Sequence, residues 1–158
     1  MYRAFFSTSV MDFIDFKSLR EKKFYLFDTF QGIIKEQVGK GEKAAYKNEY
    51  PDDTYEFILN SFKEYNNVVV TRGVVPESLT DVKIDKVAFL SLDMNILLPN
   101  RAAMEHFWPK MTRGGIMIIN DYAFPDRDIQ QKNADEFADN VGVKILTMPT
   151  GQGIIIKP

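Results

Sequence analysis

The sequence predicts an α/β domain built on a mainly parallel sheet, and three features carry that expectation. Four short, β-rich and mostly apolar runs recur along the chain: Phe24–Phe27, Val68–Thr71, Lys86–Leu92 and Gly115–Ile119. Segments with helical spacing lie between them. The runs are apolar on both faces, the pattern of parallel strands covered by helices on both sides.

Taken in order, Val10, Phe13 and Ile14 suggest a first helix that runs to about Arg20. Tyr55, Ile58, Leu59 and Phe62 fall at i, i+3, i+4 and i+7, with Asp52 and Asp53 placed to cap that helix. Gly73 to Leu79, with Pro76-Glu77, reads as a turn that enters a short helical segment. Met104, Phe107, Trp108 and Met111 repeat the helical spacing within a helix from about 99 to 111, and Ala134, Phe137, Ala138 and Val141 do so again. The end of the chain differs. Val143–Met148 and Gly153–Lys157 are strand-like, and the linker Pro149–Gln152 is too short for a crossover helix, so the pair should form an antiparallel hairpin. The segment Ile33–Pro51 has no clean period. It reads either as a solvated surface loop or as a lid over a pocket at the carboxyl ends of the strands.

Composition narrows the function. A length of 158 residues suits a single domain spanning 1–158. The net charge of −2 offers no basic excess for a nucleic-acid backbone. No apolar run approaches a membrane span, and Ser7, Thr8, Ser9, Asp12 and Asp15 interrupt any signal-peptide core. The absence of cysteine removes disulfides, thiolate nucleophiles and Cys-ligated zinc. The expectation is a soluble, cytoplasmic domain that engages neither nucleic acid nor membrane.

Ligands of open parallel sheets sit at the carboxyl ends of the strands. The first strand ends at Asp28, whose carboxylate could accept hydrogen bonds from the hydroxyls of a nucleotide ribose or simply cap the following turn. The third ends at Asp93 and the fourth at Asn120-Asp121, which offer oxygen and no sulfur or imidazole. Such a set suits Mg²⁺, although Asp and Asn also serve as turn and helix caps. His106 falls off the buried stripe of its helix and reads as a partly exposed surface histidine, while Trp108 reads as core. No Ser/His/Asp arrangement, Walker A sequence or glycine-rich dinucleotide fingerprint is present.

Five blocks then appear in order: Leu26-Phe27-Asp28-Thr29-Phe30-Gln31-Gly32, Gly73-Val74-Val75-Pro76-Glu77-Ser78-Leu79, Phe89-Leu90-Ser91-Leu92-Asp93-Met94-Asn95, Gly114-Gly115-Ile116-Met117-Ile118-Ile119-Asn120-Asp121-Tyr122 and Gly151-Gln152-Gly153-Ile154. Together they resemble the TylF/MycF-type (macrocin) O-methyltransferases over nearly the whole chain. The resemblance implies a Rossmann-like class I methyltransferase fold and S-adenosylmethionine (SAM) as methyl donor. It also implies Mg²⁺ or another divalent cation that holds the acceptor, a hydroxyl of a sugar or glycosylated small molecule. On this basis Asp28 holds the SAM ribose, with Thr29 and Phe30 beside it and Arg3 at the tail of the glycine-containing SAM motif. Asp93, Asn120 and Asp121 form the metal site, and Asp93 is the catalytic position.

The sequence departs from the family pattern. Asn95 and Asn120 stand where the family usually has aspartate, which predicts weaker metal binding, and Leu97 replaces a usual tyrosine. No side chain stands out as the general base. The strand and glycine motif that should precede Tyr2-Arg3 are missing, which predicts either an N-terminal truncation or loss of part of the cofactor site. Two alternatives stand beside the enzyme: a catalytically inactive, methyltransferase-like domain with a binding or structural role, and a different nucleotide-binding α/β protein. A homo-oligomer is left open.

Overall fold

A computed structural model describes residues 4–42 and 54–158. The strands are β1 (Phe24–Asp28), β2 (Val68–Arg72), β3 (Val87–Leu92), β4 (Met111–Ile119), β5 (Leu146–Thr147) and β6 (Gly153–Ile156). The α-helices are α1 (Phe5–Phe13), α2 (Thr54–Ser61), α3 (Leu97–Phe107) and α4 (Asp128–Asn140). The four central strands fall where the apolar runs place them. Asp52 and Asp53, the expected caps of α2, lie outside the described residues.

Among the described residues the strands form two sheets. β1 and β2 pair in parallel, and the second sheet has the order β3-β4-β6-β5. Within it β3 and β4 are parallel, whereas β6 runs antiparallel to both β4 and β5. The expected terminal hairpin is present, and it inserts β6, not β5, against the parallel pair. Among the described residues β1 pairs only with β2, and β3 only with β4.

The chain divides into two compact units, Met1–Gly32 with Lys47–Val74 and Ile33–Tyr46 with Val75–Pro158. In the first, Met11, Phe16, Leu26, Phe30, Ile58 and Phe62 bury one apolar cluster, with Phe24, Tyr55 and Val70 packed on it. Helix α1 ends earlier than Arg20. Asp15 takes a left-handed φ of 48°, and a 3₁₀ turn follows at Phe16–Ser18. Phe13 and Ile14, expected on the buried stripe, are exposed.

In the second unit, α3 and α4 pack on each other, and the Trp108 ring meets Phe137 edge-on at 5.6 Å. Helix α3 stops at Phe107, short of the expected 111, because Pro109 has no N–H to continue the ladder and its ring obstructs the preceding turn. A 3₁₀ turn at Trp108–Lys110 carries the chain directly into β4, so Met111 belongs to a strand, where it is still buried. That strand begins before the expected Gly115. A bulge shifts its register against β3 between Met111 and Ile116, and at Gly115 a Cβ would lie 2.8 Å from the Thr112 carbonyl.

Candidate active site

The parallel pairing of β3 with β4 brings two strand ends together. Leu92 lies opposite Ile119, and the Asn120 N–H donates to the Leu92 carbonyl at 2.9 Å. The next residues of each strand, Asp93 on one side and Asn120-Asp121 on the other, therefore meet at one edge. Asn120 Nδ2 donates to Asp93 Oδ1 at 3.2 Å and to Asp121 Oδ1 at 3.4 Å. Its Oδ1 accepts from Gln152 Nε2 at 3.4 Å. One amide thus bridges the two carboxylates that the sequence marks as ligands.

These carboxylates differ. Asp93 is exposed, whereas the Asp121 side chain is 14% exposed and its Oδ2 has no hydrogen-bond partner among the described residues. Burial pushes the Asp121 carboxyl above the ordinary carboxylate range. Arg127, whose Nε lies 4.0 Å from Oδ2, opposes that rise, the Asp93 charge adds to it, and the Asn120 hydrogen bond opposes it.

Asn95 closes the other side of the loop after β3. It takes a left-handed φ of 62°, which asparagine tolerates better than most residues. Its carbonyl accepts from Arg127 Nη1 at 3.0 Å and Gln130 Nε2 at 3.1 Å, and its Oδ1 accepts from Arg127 Nη2 at 3.3 Å. A guanidinium and an amide from the start of α4 therefore hold this loop.

In the first unit, Asp28 ends β1 and its Oδ1 accepts the Phe30 N–H at 2.7 Å. The Gly73 N–H donates to its carbonyl at 3.0 Å. Thr29 Oγ1 donates to the Gly32 carbonyl at 2.8 Å and accepts the Gln31 N–H. Phe30 has a φ of 54° and a buried ring that meets Tyr55 at 4.9 Å. The turn after β1 is thus built by Asp28 and Thr29, and Phe30 anchors it to the core. Arg3 lies outside the described residues.

Residues 5–145 match the macrocin-O-methyltransferase (TylF) family. The chain belongs to that family. Solved structures of methyltransferases share the fold. "Structure of the O-methyltransferase NovP" superposes with a TM-score of 0.77 at 20% identity, covering 89% of this chain and 62% of that one. A crystal structure of CalS11, calicheamicin methyltransferase, gives 0.67 at 18% identity over 89% of this chain and 65% of that one. An apo structure of CalS11, described as a TDP-rhamnose 3'-O-methyltransferase, gives 0.59 at 18% identity, over 89% and 64%. The TylF-family chain therefore spans about 62–65% of the length of these relatives. No curated protein sequence matches it significantly.

The sequence places Asp93, Asn120 and Asp121 side by side at the ends of β3 and β4, as the structure does, but gives no sign of the side chains around them. Gln152, Arg127, Gln130 and Glu42 reach the same loops from remote positions, and spacing along the chain carries no signal for side chains that meet only in the fold. The one available hint was Gly39-Lys40-Gly41-Glu42, two glycines beside a carboxylate in a segment without periodicity. Among the described residues, no group of three or more His, Cys, Asp or Glu side chains is placed to hold a metal, and no helix is long and apolar enough to cross a membrane.

Proposed function

We propose that this TylF-family chain is a SAM-dependent O-methyltransferase that acts on a hydroxyl of a sugar or glycosylated small molecule, with a divalent cation held by Asp93, Asp121 and Asn120. The observation that carries the reading is the convergence of these three side chains at the ends of β3 and β4, where a buried Asp121 oxygen is left without a hydrogen bond. Buried polar atoms ordinarily make hydrogen bonds, so a carboxylate oxygen that makes none and has only the Arg127 guanidinium 4.0 Å away fits a hard cation in a cluster of oxygen donors. For Asn120 to offer its oxygen to a cation beside the two carboxylates, its amide must turn about the terminal torsion, giving up the Nδ2 bonds to Asp93 and Asp121 and requiring the Gln152 amide to turn with it. One structural relative, CalS11, is described as a TDP-rhamnose 3'-O-methyltransferase, which supports the sugar class.

In the reaction, the acceptor oxygen attacks the SAM methyl carbon, the carbon–sulfur bond breaks, and the hydroxyl proton leaves to solvent or a base. When bound, the cation lowers the pKa of the acceptor hydroxyl. The chain's own task is alignment. Asp93 and Asp121 hold negative charge at the strand ends, Asn120 fixes their separation, and Gln152 braces Asn120. Asp28, at the end of β1, supplies a carboxylate for the SAM ribose, and the Thr29 turn holds it there. Arg127 offsets part of the negative charge beside Asp121, which supports cation binding weaker than that of a site with aspartate at 95 and 120.

The test has two arms. Calorimetry with S-adenosylhomocysteine on the folded chain should show micromolar binding that Asp28→Ala abolishes. Methyl transfer from labelled SAM should fall at least a hundredfold with EDTA or with Asp93→Ala. EDTA-insensitive transfer would remove the metal from the reading. A folded chain that binds no nucleoside would favour the non-catalytic alternative.

A further inference from the structure

Of the segment Ile33–Pro51, expected to be either a solvated loop or a lid, residues 43–51 lie outside the described residues, and residues 33–42 are tied down by one carboxylate that the proposed chemistry leaves unused. Glu42 Oε2 accepts the Gly39 N–H at 2.6 Å. Its Oε1 accepts the Leu97 N–H at 2.6 Å and Gln130 Nε2 at 3.3 Å. The two glycines make this hook buildable. A Cβ at Gly39 would lie 3.0 Å from Glu42 Oε2, and Gly41 takes a φ of 87° with the Ile129 side chain 3.7 Å from where its Cβ would be. A second tether is Gln37 Nε2, which donates to the Val75 carbonyl at 2.6 Å.

The far end of the hook is the start of α3. The N-cap residue there, Ile96, has no hydrogen-bonding side-chain atom, and Glu42 accepts one of the first-turn N–H groups that have no partner within the helix, that of Leu97; its charge suits the positive end of the helix. Gln130 donates both to Glu42 and to the Asn95 carbonyl, and Arg127 joins Asn95 to Asp121. A continuous set of polar contacts therefore runs from segment 33–42 through Glu42, Gln130, Asn95 and Arg127 to the strand-end cluster.

We propose that Glu42 is a positioning residue: it latches segment 33–42 onto the start of α3 and thereby holds the loop that carries Asp93 and Asn95 in place for the acceptor. The consequence for the acceptor rests on the methyl-transfer reading above. The latch itself does not, and the two are tested separately.

Hydrogen–deuterium exchange of the wild-type chain, Glu42→Ala and Glu42→Gln reads the latch. In Glu42→Ala, amides of residues 33–42 and 95–98 should exchange at least tenfold faster, while those of β4 and β6 keep their wild-type rates. Glu42→Gln should lie between the two, because its single oxygen can serve only one side of the hook and its NH₂ then faces an N–H donor. Should Glu42→Ala fail to fold, Glu42→Gln decides alone. Unchanged exchange at 95–98, or equal acceleration throughout β4 and β6, would overturn the latch. With an acceptor that the wild type methylates, Glu42→Ala should raise the acceptor KM at least fivefold while S-adenosylhomocysteine affinity stays within twofold, and Glu42→Gln should recover part of the loss. Faster exchange at 95–98 with unchanged KM and kcat would overturn the positioning role. A wild-type chain that methylates no acceptor would sink the methyl-transfer reading, and the exchange pattern would still decide the latch.

Discussion

In the unit formed by residues 1–32 and 47–74, an apolar cluster is joined by a few separate polar contacts; in the unit formed by residues 33–46 and 75–158, apolar contact and a connected polar network act together. The first has a two-stranded sheet, helices of nine and eight residues, and exposed aromatic surface, with Phe5 81% and Phe13 91% accessible. The second has four strands, and Glu42, Gln130, Asn95, Arg127, Asp121, Asn120 and Gln152 link its loops by named hydrogen bonds and one ion pair. A two-stranded sheet is marginal without further packing, and α1 starts at Ala4, which adopts a left-handed φ and offers no side-chain cap. The comparison teaches where precision resides. Directional bonds join the loops of the second unit into one connected network, whereas in the first they stand apart: the Asp28–Thr29 turn, and Asn67 Nδ2, which donates to the Leu19 and Lys22 carbonyls.

The largest expected effect comes from cutting each core at a fully buried side chain. Ile58 and Met117 are both 0% exposed. Truncation of either to alanine should cost about 3 kcal/mol, but the consequences should differ. Ile58→Ala should erase amide protection in β1 and β2 and leave β4 and β6 protected, as followed by hydrogen exchange. Met117→Ala should lower the urea midpoint of the β4–β6 sheet. Equal loss of protection in both sheets from Ile58→Ala would erase the distinction between the units.

The same contrast explains what the sequence disclosed. Strands at Val68 and Phe24 were legible because a run of β-branched and aromatic residues signals a strand whatever surrounds it. The convergence of Asp93 with Asn120 was legible because adjacent parallel strands end side by side. Which strands pair was not legible from spacing, since pairing leaves no mark on the periodicity of either strand. Nor was the early stop of α1, where Phe13 and Ile14 keep a helical spacing that no partner in the unit buries. The links from Glu42 to Leu97 and Gln130, and from Asn95 to Arg127 and Gln130, join residues 32 to 88 positions apart, beyond the reach of any local pattern.

A smaller effect is expected at the junction between the second sheet and the site. Gly153 lies opposite Ile119, and a Cβ there would sit 2.7 Å from Tyr122 Cγ and 2.8 Å from Ile145 Cγ2. Gly153→Ala should therefore overpack the junction at a cost of about 2 kcal/mol. Because Gln152 precedes it and braces Asn120, the variant should also weaken Mn²⁺ binding, which electron paramagnetic resonance would measure. A thermal shift without loss of Mn²⁺ affinity would show that Gln152 does not brace the strand-end cluster.

The smallest effect separates the units by pH. The chain has one histidine, His106, in the second unit, so any stability change from histidine ionisation belongs to that unit alone. Lys110 Nζ lies 2.6 Å from His106 Nε2, and since an ammonium can only donate, that nitrogen serves as acceptor. Burial lowers the His106 pKa below the ordinary value of 6.5, and the Lys110 charge lowers it further. The unfolded chain therefore binds more protons than the native chain between the lowered value and 6.5. Stability from this group is fully present above 6.5 and is lost as pH falls through the lowered value. His106→Gln keeps a carbonyl acceptor for Lys110 and removes the titration, so its urea midpoint should decline less than that of wild type between pH 7 and pH 5. Protection of β4 and β6 should follow the same difference, and that of β1 and β2 should not. An identical pH dependence in wild type and variant would mean that His106 remains unpaired with Lys110 in solution.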